Sequence, residues 1–406
     1  MSLRRKVGTS ANRVINFANR IIPKTQLIAI HTYPDIEDQV VALLRTSAAE
    51  ESRPYRVVLL VASPHDARRK LEVLVGANLD GVKVVRKTSV AGVWAYLRAR
   101  GVLFTHGLFG SPTPPPNQVV INLWHGMPLK RIWSGVPGDQ VPGCSYLLCT
   151  SDLFAGKLSE LTKLPIARTP VTGLPRNDLF FSTRPAVQAF GALARRDVQR
   201  VLFFMPTYRR STSGFRSEDG SEEHSPLLMT DAEMEQFKQA LRETRTRVLV
   251  KPHPLSPHYG RIDLSDDNIW IITDGWLHEH GVMLYEALGA VDGLISDVSS
   301  VVVDHLCTRK PCIIYFPDYE LYGKTRQFML EPLEDYLPGP VCSTVAELCE
   351  DIRRVAISAD ARRARSAELA SRLNPQSAPS ASSAVLDLIG AELNTRNNSV
   401  QPQPLP

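Results

Sequence analysis

The stretch RVLFFMPT, Arg200 to Thr207, decides the fold. Apolar and aromatic residues run unbroken from Val201 to Met205, and a proline and a threonine close the run. That is the pattern of a strand buried on both faces that exits into a turn. Upstream of it, QLIAIH (26–31), RVVLLVA (56–62), VKVV (82–85), VLFTH (102–106), QVVINLWH (118–125) and YLLCT (146–150) alternate with helical patterns near 36–50, 65–75, 89–99 and 152–161. Downstream, the same rhythm starts again. A helix near 231–243 is followed by RVLVKPHP (247–254) and IWIIT (269–273). A helix near 282–289, DGLISD (292–297), a helix near 299–307 and PCIIYF (311–316) complete the second series. Apolar strands separated by helices imply a parallel sheet covered on both faces, and the restart implies two of them.

The expected class is therefore α/β, with two doubly wound parallel-sheet domains in tandem facing a cleft. A chain of 406 residues suits two domains of this kind. The expected boundaries are a basic segment 1–24, a first domain 25–180, a second domain 181–393 that includes helical stretches 344–371 and 380–393, and a disordered tail 394–406. The polar stretch 209–226 reads as a long loop or flap.

Composition narrows the class further. Hydrophobic residues make up 43% and charged residues 22%, which describes a globular protein and not a disordered one. A net charge of +5 is mild, and no nucleic-acid partner is expected. Six cysteines without a Cys-x-x-Cys pair read as buried thiols in a reducing compartment. No 18-residue apolar run or apolar signal core is present, so a cytoplasmic protein is expected. The opening MSLRRKVGTSANRVINFANRIIPK carries Arg4, Arg5, Lys6, Arg13, Arg20 and Lys24 before the first acid at Asp35. Val7, Ala11, Val14, Ala18 and Ile21 recur at helical spacing, widened by Phe17 and Ile22. A basic amphipathic helix of this kind suits an anionic membrane surface, whereas a helix docked on its own domain is the plainer alternative.

The chemistry-bearing residues gather at strand ends, where open α/β sheets bind ligands. KPHP (251–254) places Lys251 and His253 beside two stiffening prolines, a cation and an imidazole suited to phosphate oxygen. SDVSSVVVDHL (296–306) places Ser299 and Ser300 at a helix start, where free backbone N–H groups favour an anion. Asp304 follows one turn later and could accept from a ligand hydroxyl. GLPRNDLF (173–180) frames Arg176, MPTYRR (205–210) brings Pro206 and Thr207, and LWHGMPLKRI (123–132) sets His125 between Trp124 and Gly126. Any of these alone could be an ordinary turn or helix cap. No Gly-rich nucleotide loop is present, which disfavours an ordinary kinase or dehydrogenase. His278 and His280 are not spaced to place two ligands on one helix face, so no metal site is expected.

Taken in order, WHG-x-PLK, G-x-PRND, PT-x-R, KPHP and SDVSS-x-x-x-D resemble the CDP-glycerol glycerophosphotransferase family of teichoic acid polymerases and primases, over about residues 24–330. The resemblance implies a glycosyltransferase-B architecture and transfer of a polyol phosphate from a CDP-polyol to an acceptor hydroxyl, with no tightly bound cofactor. It implies that His125, in a motif with Gly126 and Pro128, holds the catalytic base, that His253 is a second catalytic residue, and that Gly126 and Pro128 also contact the donor. Arg176, Pro206, Thr207, Lys251 and His253 match positions lining the donor, and Ser299, Ser300 and Asp304 the segment gripping pyrophosphate and nucleotide. Met127 departs from the hydroxyl residue common after that glycine. Lys130 and Arg131 would form a basic rim for an anionic acceptor, lipid-linked or polymeric, or a solvated face. The expected location is peripheral, on the inner face of the cell membrane. A nucleotide-sugar glycosyltransferase and a non-catalytic nucleotide or polyanion binder are the alternatives.

Overall fold

The computed structural model describes residues 14–49, 55–76, 79, 81–107, 109, 114–132, 143–191, 198–207, 227, 229–251 and 267–398. The chain divides into two units, one of Met1–His125, Pro137–Leu179 and Ala378–Pro406, the other of Gly126–Val136 and Phe180–Ser377.

The first unit opens on a short helix, α1 (residues 14–21). It continues with β1 (Thr25–His31), α2 (Asp38–Ala49), β2 (Arg56–Val61), α3 (Pro64–Leu74), β3 (Val82–Arg86), α4 (Val90–Arg98), β4 (Ala99–Phe104), β5 (Val119–Asn122), β6 (Tyr146–Leu147) and α5 (Asp152–Thr162). The six strands form one sheet in the order β3-β2-β1-β4-β5-β6. Every pairing in it is parallel. Residues 57–61 and 119–122 are buried throughout, as strands covered on both faces must be.

The second unit begins with α6 (Arg184–Gly191) and β7 (Arg200–Met205), followed by α7 (Asp231–Glu243), β8 (Thr246–Val250), β9 (Ile269–Ile271), α8 (Asp274–Glu279) and α9 (Leu284–Ala290). Then come β10 (Gly293–Ser296), α10 (Ser300–His305), β11 (Cys312–Tyr315), α11 (Tyr319–Arg326), β12 (Val341–Cys342), α12 (Val345–Ile357) and α13 (Asp360–Leu373). Its sheet order, β12-β11-β10-β7-β8-β9, repeats that of the first unit, read from the opposite edge. Thr230 with Glu233 and Thr344 with Glu347 form capping boxes that start α7 and α12. Phe237 and Leu241 of α7 then share a core with Leu348, Ile352 and Val355 of α12. Two six-stranded parallel sheets, each layered with helices, are the expected class.

The division of the chain differs from the sequence reading in two places. The last helix, α14 (Ala381–Asn398), belongs to the first unit and not the second. The Asp178 carboxylate accepts the N–H groups of Ser380 (2.9 Å), Ala381 (3.0 Å) and Ser382 (2.8 Å), satisfying donors that a helix start leaves open. Val385, Ile389 and Leu393 are buried at one-turn intervals. Ile389 lies so close to Gly101 of β4 that a Cβ there would meet its Cδ1 at 2.5 Å. The Tyr146 hydroxyl donates to Glu392 Oε1 at 2.6 Å. Residues 394–398 therefore continue a helix, whereas 399–406 lie outside the described residues. The second difference is Gly126–Val136, which falls with the second unit although it follows β5 directly. Arg131 N–H donates to Gln327 O (3.0 Å) and Met329 N–H to Leu129 O (2.8 Å), around an antiparallel bridge from Lys130 to Phe328.

Candidate functional site

Both sheets reverse their order of construction once, between β1 and β4 in the first unit and between β7 and β10 in the second. Ligands of doubly wound sheets bind at the carboxyl ends of such strand pairs. In the first unit those ends deliver His31 from β1 and Thr105 and His106 just after β4, while Leu123–His125 leaves the adjacent β5.

His125 is exposed, and its ring stacks on Trp124 (4.5 Å, 28°) and on His106 (4.6 Å, 23°). Trp124 is buried at φ +61°, a left-handed conformation that a bulky residue rarely takes, and Gly126 follows at φ +117°. The Asn122 side chain accepts the Trp124 N–H at 3.0 Å. His106 Nδ1 lies 3.0 Å from Thr105 Oγ1, which also accepts the Tyr33 N–H (3.3 Å). The Tyr33 ring stands edge-on to His106 at 5.9 Å. His31 Nδ1 lies 3.0 Å from the Leu60 carbonyl, so this nitrogen carries the proton. Burial holds both His31 and His106 below the ordinary histidine range, and for His106 the charges of His31 and Arg176 add to it.

Arg176 lies in a 3-10 helix, Pro175–Phe181, and is buried in this same region of the first unit. Burial pushes the Glu37 carboxyl up to about 8, reinforced by the Asp38 charge and opposed by Arg176. Asp178 of the same motif is committed to the start of α14, a structural task. Gly126 and Pro128 are buried, which assigns them to shaping the turn and leaves no surface for the donor contact expected of them. Met127 is fully buried apolar packing. Lys130 and Arg131 are exposed, as a rim would be, and the Arg131 guanidinium bonds to Gln327 Oε1.

In the second unit the reversal point delivers Pro206 and Thr207 from β7 and Asp297 to Ser299 from β10. Asp297 is buried and organises this end. It accepts the Thr207 N–H at 2.9 Å, the Thr207 hydroxyl and the Ser299 N–H at 3.2 Å. The Ser296 hydroxyl donates to Met205 O at 2.6 Å. Ser299 caps α10, and Ser299 and Ser300 are both half-buried, within reach of solvent.

Two donor residues named from the sequence are placed otherwise. Asp304 has no exposed surface and accepts the Tyr285 hydroxyl at 2.6 Å, so it works inside the second unit's core and not on a ligand. Lys251 is 6% exposed, and its ammonium already pairs with Asp274 at 3.0 Å, so its charge is matched within the protein. His253 and the stretch 209–226 lie outside the described residues. His106 and Asp297 organise the two strand ends, and neither stands out in the sequence as a site residue. The visible signal for each was its position just beyond an apolar run, VLF-TH and GLIS-D. Among the described residues no cluster of His, Cys, Asp or Glu is arranged to hold a metal ion.

Helix α1 inverts the usual arrangement. Its polar Asn19 faces inward, 1% exposed, donating to Gln118 Oε1 (2.9 Å) and the Tyr96 hydroxyl (3.4 Å). Val14, Phe17 and Ile21 stand 68%, 67% and 64% exposed. Lys24, counted among the membrane-facing cations, is turned inward and donates to Asn19 O, Asn19 Oδ1 and Leu97 O, each at 2.7 Å. No described helix is long and apolar enough to cross a membrane.

The profile of a family described as CDP-Glycerol:Poly(glycerophosphate) glycerophosphotransferase matches residues 14–391. The chain belongs to this family. Among similar proteins, the teichoic acid ribitol-phosphate primase of Bacillus spizizenii is 30% identical over 184 residues, 44% of this chain and 43% of its own length. The teichoic acid glycerol-phosphate transferase of Staphylococcus aureus is 22% identical over 264 residues, 59% of this chain and 63% of that one. The match thus spans less than half of the primase and just under two thirds of the transferase. The wall teichoic acid polymerase TagF, in a structure soaked with CDPG, shares the fold with a TM-score of 0.72 at 17% identity, over 97% of this chain and 95% of that one. A putative UDP-N-acetylglucosamine 2-epimerase from Listeria monocytogenes follows at 0.57 and 15% identity, over 92% of this chain and 98% of that one. The fold is of the glycosyltransferase-B type.

Proposed function

We propose that the protein transfers a polyol phosphate, glycerol phosphate foremost, from a CDP-polyol to a hydroxyl of a lipid-linked or polyol-phosphate polymer acceptor, releasing CMP. The product would be a teichoic-acid-like or capsular cell-envelope polymer. The observation that carries this reading is His125, an exposed imidazole fixed in a left-handed turn between the rings of Trp124 and His106, in a chain of this family.

In the proposed reaction the acceptor oxygen attacks the phosphorus that bears the polyol, and His125 takes the hydroxyl proton. The bond from that phosphorus to the bridging oxygen breaks, and its electron pair leaves on CMP. Charge spreads over the phosphoryl oxygens as this happens, so donors fixed in advance favour the transition state. His125 is the base. Donor contacts are assigned to the half-buried Ser299 and Ser300, while Thr207 gives its N–H and hydroxyl to Asp297 and holds that strand end in place. Lys251 would serve a phosphate only by exchanging Asp274 for it.

Purified protein offered a panel of CDP-polyols and a short soluble acceptor tests the reading, with CMP release as the measurement. CMP should appear with CDP-glycerol or a close relative, and His125→Ala should lower turnover by about 10²–10⁴ while leaving donor affinity and folding intact. No CMP from any CDP-polyol, or near wild-type turnover by folded His125→Ala, refutes it. Peripheral attachment to an anionic membrane is part of the same proposal, supported by the exposed Val14, Phe17 and Ile21 stripe.

A further inference from the structure

We propose that Gln39 is a positioning residue for His125, fixing the turn that aims the imidazole. The inference rests on the reading of His125 as the base. Gln39 sits in the first turn of α2 and has no exposed surface. Its Nε2 donates to two successive backbone carbonyls, Leu123 O at 3.1 Å and Trp124 O at 2.9 Å, the pair immediately before His125. Its Oε1 accepts the Arg176 N–H at 3.3 Å. One buried amide therefore ties the first turn of α2, the exit of β5 and the Arg176 helix, segments 84 and 137 residues away in sequence.

The geometry to be held is an unfavourable one. Trp124 at φ +61° takes a backbone shape that is strained in a non-glycine residue and persists only where its surroundings fix it. Asn122 holds the N–H of Trp124, and Gln39 holds its carbonyl and the one before it. A single amide nitrogen offers two donors, matched here by two carbonyls. Glutamate has the same shape and no donor, so it would set a carboxylate against both oxygens. Methionine fills the space and bonds to neither.

The test compares Gln39→Met and Gln39→Glu with His125→Ala in the CDP-glycerol assay. With the imidazole displaced, kcat should fall about 10–100-fold in both Gln39 variants while KM for the donor stays within about twofold. Because Gln39 acts through His125, adding Gln39→Met to His125→Ala should cost little further turnover. Wild-type kcat in a folded Gln39 variant, or full additivity with His125→Ala, overturns the positioning role while the base assignment stands. Wild-type turnover by His125→Ala removes the base itself, and the positioning role with it. If Gln39→Met does not fold, Gln39→Glu and Gln39→Asn carry the same comparison.

Discussion

A single side chain's worth in this protein depends on which surface its neighbours leave open. His125 follows the strand β5, and His305 ends the helix α10, so each closes a run rich in β-branched residues. The first is exposed beside two rings, whereas His305 is sealed in the second unit and held neutral, its pKa down at about 3, by burial and the Lys310 charge. Glu37 gives a sharper test of burial. One carboxylate oxygen, Oε1, is closed off from water without a hydrogen-bond partner, and the group is raised from 4.5 to about 8. Between those values the folded protein keeps a proton that the unfolded chain has released, so stability declines as pH rises through that window. Glu37→Gln removes the titration. Its melting temperature should therefore gain on wild type from about pH 5 to about pH 8.5, read by thermal unfolding at both. An equal difference at the two pH values would mean that Glu37 ionises in the fold as freely as in water.

Among the elements, α1 is where pattern and packing part company. Periodicity alone groups Val14, Ala18 and Ile21 as an apolar face, and such a face usually points to a core. Here Asn19 and Lys24 are bonded inward, and the apolar face is left to solvent. If this face enters a lipid headgroup layer, Phe17→Glu with Ile21→Glu should reduce sedimentation with anionic vesicles several-fold and leave the melting temperature unchanged. Undiminished vesicle binding would leave α1 as a docked helix with an apolar outer face. The sequence showed the helix and its stripe. Which side met the protein depended on Gln118 and Tyr96, about 80–100 positions away.

Over the whole molecule the decisive feature is the return of α14 to the first unit. Asp178 accepts three N–H groups at its start, and Ile389 lies against Gly101. A chain ending at Ser377 should lose the first unit's cooperative unfolding and expose the buried face of α2, seen as rapid proteolysis between residues 25 and 179. Asp178→Ala should show a weaker form of the same loss, on the order of 1–3 kcal/mol for donors left without an acceptor. Unchanged protease resistance in the truncated chain would contradict this dependence.

The sequence by itself determined the local periods: which runs are strands, that their alternation with helices makes parallel sheets, and that the pattern restarts at Arg200. These are short-range facts, carried by apolar runs and turn residues a few positions apart. It also determined that His125 comes just after a strand, beside a glycine. Only the tertiary structure decided which polar side chains are already satisfied. Asp304 meets Tyr285, Lys251 meets Asp274 and Asp178 meets α14, each across a separation that no spacing rule reads. It alone placed His106 on His125 and Gln39 beneath the turn. A carboxylate bound for the core and one bound for a ligand look alike in sequence, because the difference is the partner that folding brings to it.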